Sequence, residues 1–315
     1  MEPRIVKGFD PAPPGKLPLK KAILDSDFDG CGCGVILLQV YPDLEIEFAN
    51  SAEVESGKFV NGVNNETVVA DLAYIHGCGL WFDHHLSNIP ESADGSKFPG
   101  RCGNLPSAAE IVYDYYQGIT DVSRYKEMIY WLGKFDSGNL SIDEVSKAND
   151  FVRIGFAIDR SDNEFNEYFT QFLAKHTWEE TMAEPRVQDK LQAAEKDSKR
   201  YLDFVKQHAT IIENVAFFDN REFVGAIPHH FVLNCLYPDV DGVVMYSKNK
   251  SGIKFSMFGN GYKADRRIIN FLSIAKVMNP VTSGGHKEGC GFMLLADMSV
   301  DTAVNLIKTL LRNFR

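Results

Sequence analysis

The stretch "AILDSDFDGCGCGVILLQV", residues 22–40, places Asp25, Asp27 and Asp29 on every second position directly after a short apolar run. "KKAILDS" (20–26) reads as a buried strand, and "CGVILLQVYPD" (33–43) as a helix ending near Pro42. A strand that turns tightly into a helix is the opening unit of a doubly wound α/β fold. Alternate side chains of an extended segment share one face. The three carboxylates are therefore expected to converge where the strand ends, at the edge of the sheet where such folds bind ligands. Clustered carboxylates repel one another, and a divalent cation relieves that repulsion.

Three further short apolar segments bounded by turn residues read as strands: "LEIEFAN" (44–50), "TVVADLA" (67–73) and "GLWFDHH" (79–85). The second carries Asp71 at its end and the third Asp83-His84-His85, and "WLGKFDSG" (131–138) supplies Asp136 after another apolar stretch. One aspartate at a strand end is a turn former or a helix cap. Acids and histidines recurring at four apparent strand ends instead mark a metal site. Mixed carboxylate and imidazole ligands suit Mn²⁺, with Mg²⁺, Co²⁺ and Fe²⁺ as alternatives. The ligands are too many for one catalytic ion and suit two, about 3.5–4 Å apart. By contrast, His229-His230 has no adjacent acid and reads as structural, and the small residues of "CGCGV" (31–35) read as packing against the metal loop.

The 315 residues are 44% hydrophobic and 24% charged, which supports two domains with separate cores. A net charge of −10 argues against a protein that coats nucleic acid, and no stable duplex partner is expected. No run of about 18 apolar residues marks a membrane span. The polar, proline-rich start does not read as a signal peptide, and the six cysteines show no paired C-x-x-C spacing. A reduced, cytoplasmic protein without structural zinc is expected, with a homodimer possible in principle.

Residues 1–20 read as an extended lead-in, because Pro11, Pro13, Pro14 and Pro18 oppose regular structure. "LPSAAEIVYDYYQG" (105–118) reads as a helix with Ser107 and Glu110 at capping-box spacing, and helical periodicity continues to about 185. The charged amphipathic stretch 186–208 reads as a long connecting helix. Beyond it, 209–219, "EFVGAI" (222–227), "GVVMYSK" (242–248) and "GIKFSMFG" (252–259) read as strands, and 229–237, 266–278 and 300–314 as helices. The expected architecture is a doubly wound, mainly parallel α/β domain over 1–185, a helical linker over 186–204 and a smaller α/β domain over 205–315. In that last part, residues 241–290 carry eight Lys/Arg against three Asp/Glu, either a solvated basic face or an anion-binding one.

Taken together, "DSDFDG" (25–30), "VVAD" (68–71), "FDHH" (82–85), "FDSG" (135–138) and the distant "SGGHKEGCGF" (283–292) resemble the DHH phosphoesterases that carry a C-terminal DHHA1 domain. "DHH" alone is a weak signal, but the five stretches in this order span nearly the whole chain. The resemblance implies a hydrolase that uses two divalent metal ions. Asp25, Asp27 and Asp71 would hold one ion, and Asp29, Asp71, His84 and Asp136 the other, with Asp71 bridging. His85 would contact the substrate phosphate or protonate the leaving group, and Asp83 would orient a histidine. Ser283, Gly284, Gly285 and His286 would grip the substrate. The resemblance implies a small phosphorylated substrate: a short oligonucleotide, a dinucleotide or a 3′,5′-bisphosphonucleotide. Inorganic phosphate chains, long single strands and a catalytically silent nucleotide binder stand as alternatives. Two positions depart from the common pattern. Asp25 stands where many members have histidine, and aspartate there resembles the RecJ-type version; Phe258 stands where a substrate-clamping arginine is expected. Arg266, Arg267 or Lys263 are the candidates to replace that arginine, and Phe255, Phe258 and Tyr262 the candidates to stack on a base.

Overall fold

The computed structural model describes residues 5–90, 98–249, 252–287 and 289–313, without the side chains of residues 5–7 and His286. The chain divides into two compact units, residues 1–140 with 148–192, and residues 141–147 with 193–315. Among the described residues no helix is long and apolar enough to cross a membrane.

The first unit opens with β1 (Ile5–Lys7), β2 (Lys21–Asp25), α1 (Phe28–Val40), β3 (Glu45–Ala49) and α2 (Ser51–Glu55). It continues through β4 (Thr67–Ala70), β5 (Leu80–Asp83), β6 (Gly100–Gly103), α3 (Ala108–Tyr116) and α4 (Lys126–Asp136). Between α4 and the rest of this unit lies α5 (Ile142–Ser146), which belongs to the second unit. Next come α6 (Asp150–Ala157), α7 (Asn163–Lys175), α8 (Trp178–Ala183) and the long α9 (Pro185–His208), which belongs to the second unit from Ala193 on.

The first sheet has the order β1-β6-β5-β4-β2-β3. β2 to β6 run parallel, and β1 is antiparallel to β6. The lead-in is therefore not wholly irregular: Ile5–Lys7 precede the prolines and find a partner in β6 (Gly100–Gly103), a strand too glycine-rich to announce itself by pattern. From β2 the chain steps to β3 on one side and then returns to β4 on the other. That reversal opens a crevice at the carboxyl ends of β2 and β4, the usual ligand position of a doubly wound sheet. On one face Ile23, Val69, Trp81 and Cys102 form a core with Phe59, Leu72 and Ile75. On the other α1 lies close: a Cβ on Gly34 would meet Leu24 and Ile46 at 2.9 and 3.4 Å. Gly30 is required for a stronger reason, since a Cβ there would come within 1.9 Å of the Asp25 carbonyl oxygen.

The second unit adds β7 (Ala209–Ile212), β8 (Val215–Asp219), α10 (His230–Leu236), β9 (Gly242–Asn249), β10 (Gly252–Gly259), α11 (Phe271–Met278), β11 (Gly284–His286), β12 (Gly289–Met293) and α12 (Val300–Asn313). Its sheet has the order β11-β12-β10-β9-β8-β7, with only β8 and β9 parallel. Alternation along β8 shows how it is covered. Val215 and Phe217 join the core with α11 and α12 residues such as Phe271 and Ile307, whereas Ala216 and Phe218 join Tyr201, Val205 and Leu233.

Several expectations change here. "EFVGAI" (222–227) is not a strand: Gly225 takes φ +144°, Val224 and Ile227 are exposed, and the Val224 carbonyl accepts from Arg200 rather than from a neighbouring strand. The helix expected over 266–278 begins at Phe271, with Asn270 as its N-cap. "SGGHKEGCGF" forms two paired strands, β11 and β12, in a segment too rich in glycine to show a strand's alternation.

Candidate metal centre

Five segments meet at the carboxyl edge of the first sheet, and each holds its acid by a different local device. Asp25 closes β2, and its Oδ1 accepts from Ser26 N at 2.7 Å. Asp27 is the N-cap of α1, with Oδ1 accepting from Gly30 N at 3.0 Å. Asp29 lies in the first turn of α1, and its two oxygens accept from Ala108 N and Ala109 N, the first amides of α3, at 2.7 and 2.8 Å. The strand thus ends at Asp25, and the three acids do not alternate along one strand as the sequence pattern implied. The strand-to-helix turn brings them together.

Asp71 follows β4 in the left-handed region at φ +57°, where aspartate is among the few tolerated residues, and its amide donates to Phe82 O at 2.9 Å. Asp83 ends β5, and His84 and His85 follow it. Asp136 is the last residue of helix α4 rather than a strand end. Its apolar approach, "WLGKF", has a helical period in which Leu132 and Phe135 are buried.

The ligand atoms form three overlapping groups; one of them, Asp71, Asp83, His84 and His85, has Asp71 in common with the first group below and His84 in common with the second. Ligand atoms of Asp25, Asp27 and Asp71 lie within 4.8 Å of one another, and so do those of Asp29, His84 and Asp136. His84 Nε2 stands 3.2 Å from Asp136 Oδ2, 3.6 Å from Asp71 Oδ1 and 4.0 Å from Asp29 Oδ2. His84 Nδ1 lies 3.2 Å from the Leu105 carbonyl, which favours the tautomer with its proton on Nδ1 and leaves the Nε2 lone pair facing these carboxylates. Both Asp71 Oδ1 and His84 Nε2 are buried without a hydrogen-bond donor. Buried acceptors that face one another could hold a cation between them.

Electrostatics agree with the geometry. Burial, reinforced by Asp27, pushes the Asp25 carboxyl up to about 7 and that of Asp29 up to about 8. Loss of water, reinforced by Asp29, raises Asp136 to about 7 and Asp71 well above the carboxylate range. A bound divalent cation reverses each shift, because it favours the charged form. Cys31 and Cys33, beside the loop, are fully buried, and burial raises both thiols far above neutrality, which fits packing rather than ligation.

A second device surrounds Asp83, which has no exposed surface. Its Oδ1 accepts from His85 N at 3.0 Å and pairs with His85 Nδ1 at 2.9 Å, and its Oδ2 accepts from Asn88 Nδ2 at 2.7 Å. For His85, burial opposes the charged form, but the hydrogen bond and charge of Asp83 outweigh it and raise the imidazole pKa. Asn88 was not picked out from the sequence, although its place three residues after the histidine pair was a usable signal. Asn88→Ala leaves a buried carboxylate oxygen without its donor and is expected to cost about 1–3 kcal/mol of stability. Denaturant unfolding measures this, and an unchanged midpoint would show that Asp83 does not depend on Asn88.

Arg160 was also missed. Its guanidinium Nη2 lies 3.0 Å from Asp25 Oδ2 and contacts Asp27 Oδ2, although it stands 133 residues beyond Asp27 in an irregular segment between α6 and α7. No period or cap in the sequence points to it.

The remaining expected residues lie in the second unit. Ser283 Oγ is buried without a partner. Gly284 and Gly285 lie in β11 with the backbone of His286, whose side chain lies outside the described residues. The glycines serve the hairpin itself in part: a Cβ on Gly285 would meet Gly289 O at 2.4 Å, whereas one on Gly284 would meet nothing within 4 Å. Arg267 lies 3.9 Å from Asp241 and donates to Glu213 O at 3.3 Å, and Lys263 pairs with Asp241 at 2.9 Å. Arg266 stands beside them in the segment before α11. Phe255 is fully buried and stacked on Phe292, so it is core and not a surface for a base. Phe258 lies parallel to the His230 ring at 4.1 Å. His229 caps α10, and burial holds His230 well below its usual pKa, in keeping with a structural pair.

Among solved structures, the chain superposes on the pGpG-specific phosphodiesterase PggH of Vibrio cholerae with a TM-score of 0.75 at 19% identity, covering 94% of this chain and 100% of that one. It superposes on an exopolyphosphatase-related protein of Bacteroides fragilis with a TM-score of 0.55 at 14% identity, covering 94% and 92% of the two chains. With RecJ of Thermus thermophilus in complex with Mn²⁺ the TM-score is 0.58 at 13% identity, covering 94% of this chain and 52% of RecJ. The fold that these structures share with this chain is the one its motifs imply. No family profile and no curated protein sequence matches the chain.

Proposed function

We propose that this protein is a metal-dependent phosphoesterase that hydrolyses phosphate esters of small nucleotides. The observation that carries this reading is the convergence of Asp25, Asp27, Asp29, Asp71, His84 and Asp136 with two buried acceptor atoms left without donors. The donor set fits two divalent cations. Asp25, Asp27 and Asp71 are assigned to one, and Asp29, Asp71, His84 and Asp136 to the other. Carboxylates with a single imidazole favour Mn²⁺, and Mg²⁺, Co²⁺ and Fe²⁺ also suit them. When bound, two such ions neutralise phosphoryl oxygens and acidify an attacking water.

The protein's own groups then divide the work. Asp83 holds His85 through Nδ1, which leaves Nε2 to contact the phosphate or to deliver a proton to the leaving oxygen. Asn88 holds Asp83. Ser283, Gly284, Gly285 and His286, with Arg266 and Arg267, are assigned to substrate binding. Arg267 is the weaker candidate, because it already faces Asp241 and the Glu213 carbonyl.

A second reading, hydrolysis of inorganic phosphate chains, gains from the packing of the aromatic residues. Phe255 is buried and Phe258 is stacked on His230, so two of the three candidates for stacking a base are engaged within the chain. One chromatographic assay separates the readings. Purified protein with Mn²⁺ is offered pGpG, pAp, pApA, cyclic di-AMP and polyphosphate. Turnover of one or more nucleotides, abolished by chelation, is the expected result. Phosphate released from polyphosphate alone would move the assignment to inorganic chains.

A further inference from the structure

The two groups of ligands differ in one respect that the motifs do not reveal. In the first, the backbone already uses one oxygen of each N-terminal acid: Asp27 Oδ1 accepts from Gly30 N, and Asp25 Oδ1 from Ser26 N. The oxygens left over, Asp27 Oδ2 and Asp25 Oδ2, are the ones that Arg160 Nη2 approaches, while Arg160 Nη1 donates to Asp25 Oδ1 at 3.3 Å. In the second group, no lysine or arginine among the described residues forms an ion pair with Asp29, Asp71 or Asp136. There the acceptors Asp71 Oδ1 and His84 Nε2 have no donor at all.

We propose that Arg160 is a built-in competitor for the first cation: its guanidinium neutralises Asp25 and Asp27 until an ion displaces it, so the Asp29–His84–Asp136 position fills first and the Asp25–Asp27–Asp71 position second and more weakly. The inference rests on the metal-centre reading above and adds an order of filling to it. The physical reason is competition. An ion entering the second group displaces no cation: Asp29 accepts only from the neutral amides Ala108 N and Ala109 N, and His84 Nε2 has no donor. An ion entering the first must break charge-assisted hydrogen bonds and then tolerate a displaced cation nearby.

The segment that carries Arg160 is well anchored, so the side chain, not the backbone, is what moves. Asn166 Nδ2 donates to Asp159 O at 3.1 Å and to Ser26 O at 3.3 Å, tying this segment to the turn between β2 and α1. Asn163 Nδ2 holds the Phe48 carbonyl at 3.1 Å, and Asp162 pairs with Lys190 at 2.6 Å. The Arg160 side chain itself is 57% exposed, so it has open space to swing into.

The test is a Mn²⁺ titration of the full chain, followed by calorimetry and by electron paramagnetic resonance, on wild type, Arg160→Gln and Arg160→Lys. Wild type is expected to bind one ion tightly and a second more weakly. Arg160→Gln is expected to tighten the second step by about tenfold or more and leave the first unchanged. Arg160→Lys, which keeps the charge but loses the planar fork, is expected to fall between them. Thermal unfolding supplies an independent readout: Arg160→Gln melts below wild type in chelator and level with it in saturating Mn²⁺. Equal affinities in wild type, or a second step unchanged or weakened in Arg160→Gln, would overturn the proposal. Should Arg160→Gln fail to fold, a second step in Arg160→Lys no tighter than in wild type would overturn it too. Wild-type protein that binds no Mn²⁺ would instead overturn the metal-centre reading on which it rests.

Discussion

Asp71→Ala is expected to lower turnover by about 10³-fold or more on whichever ester the wild-type protein cleaves, because it removes the one carboxylate assigned to both cations. The reason lies in its position. Asp71 sits between the ends of β2 and β5, takes the left-handed conformation at φ +57°, and faces both His84 and the first group of acids. Removing it leaves each proposed position one anionic ligand short. The effect on stability runs the other way. Asp71 is a buried carboxylate whose charged form is disfavoured by burial and by Asp29. Asp71→Asn keeps the shape and the tolerance of positive φ while deleting the charge. It is expected to raise the melting temperature of metal-free protein near pH 8 and to be as inactive as Asp71→Ala. Near-wild-type turnover by either variant in saturating Mn²⁺ would remove the metal centre from the mechanism. A lower melting temperature for Asp71→Asn in chelator would show that Asp71 is stabilising in its own right. Opposite movements of stability and activity are the signature of a site held together against its own repulsion.

Removal of divalent metal is expected to make the fold lose stability as pH rises from about 5 to about 8. Asp25 and Asp136 titrate near 7 and Asp29 near 8 in the folded protein, with Asp71 well above the carboxylate range, against about 4 in an unfolded chain. Across that interval the folded state binds more protons than the unfolded one, so the free energy of unfolding falls with pH. His85 adds to the trend, since a histidine raised in the folded state contributes stability that is lost as pH climbs through its folded pKa. Bound cations replace those protons. Added Mn²⁺ is therefore expected to raise the melting temperature by roughly 5 °C or more near pH 8 and by little near pH 5.5. Calorimetry in chelator and in saturating Mn²⁺ at several pH values measures both slopes. A metal-free melting temperature that climbs between pH 6 and pH 8 would contradict the carboxylate cluster as the source. Asp71→Asn should flatten the metal-free slope, which separates the cluster from the general acidity of a chain with net charge −10.

The local elements of the first unit were legible because they depend on short-range physics. β2 and α1 follow from an apolar run and a second apolar run after a glycine-rich turn, but α1 begins at Phe28, five residues before the expected Cys33, with Asp27 as its cap and not as part of an alternating strand. Ser107 was read as a cap and does accept from Glu110 N, although its side chain is all that the cap uses. Asp71, Asp83, His84 and His85 were located by the apolar strands that precede them. Asp136 counts among the strand ends only by its apolar approach; the segment lies inside the region of helical periodicity, and the end of α4 delivers the carboxylate. In the second unit "EFVGAI" had a strand's composition but no strand to pair with, and composition cannot report a missing partner.

What only the tertiary structure decided are the meetings between distant segments. The sheet order sets Asp25 and Asp71 at the ends of adjacent strands, although β3 lies between them in the chain. The start of α3 holds Asp29 through two backbone amides, a contact available to almost any residue types at 108 and 109 and therefore invisible in their identities. β1 crosses nearly 100 residues to pair with β6. Arg160 reaches Asp25 and Asp27 from a segment without periodicity or turn signature. The amino-acid sequence by itself determined which ligands exist and which local turns present them, because caps, periods and close-packed glycines act over a few residues. Packing decided which of those carboxylates and histidines lie together and which of them face Arg160, because that depends on how sheet order and helix placement bring residues together across the chain.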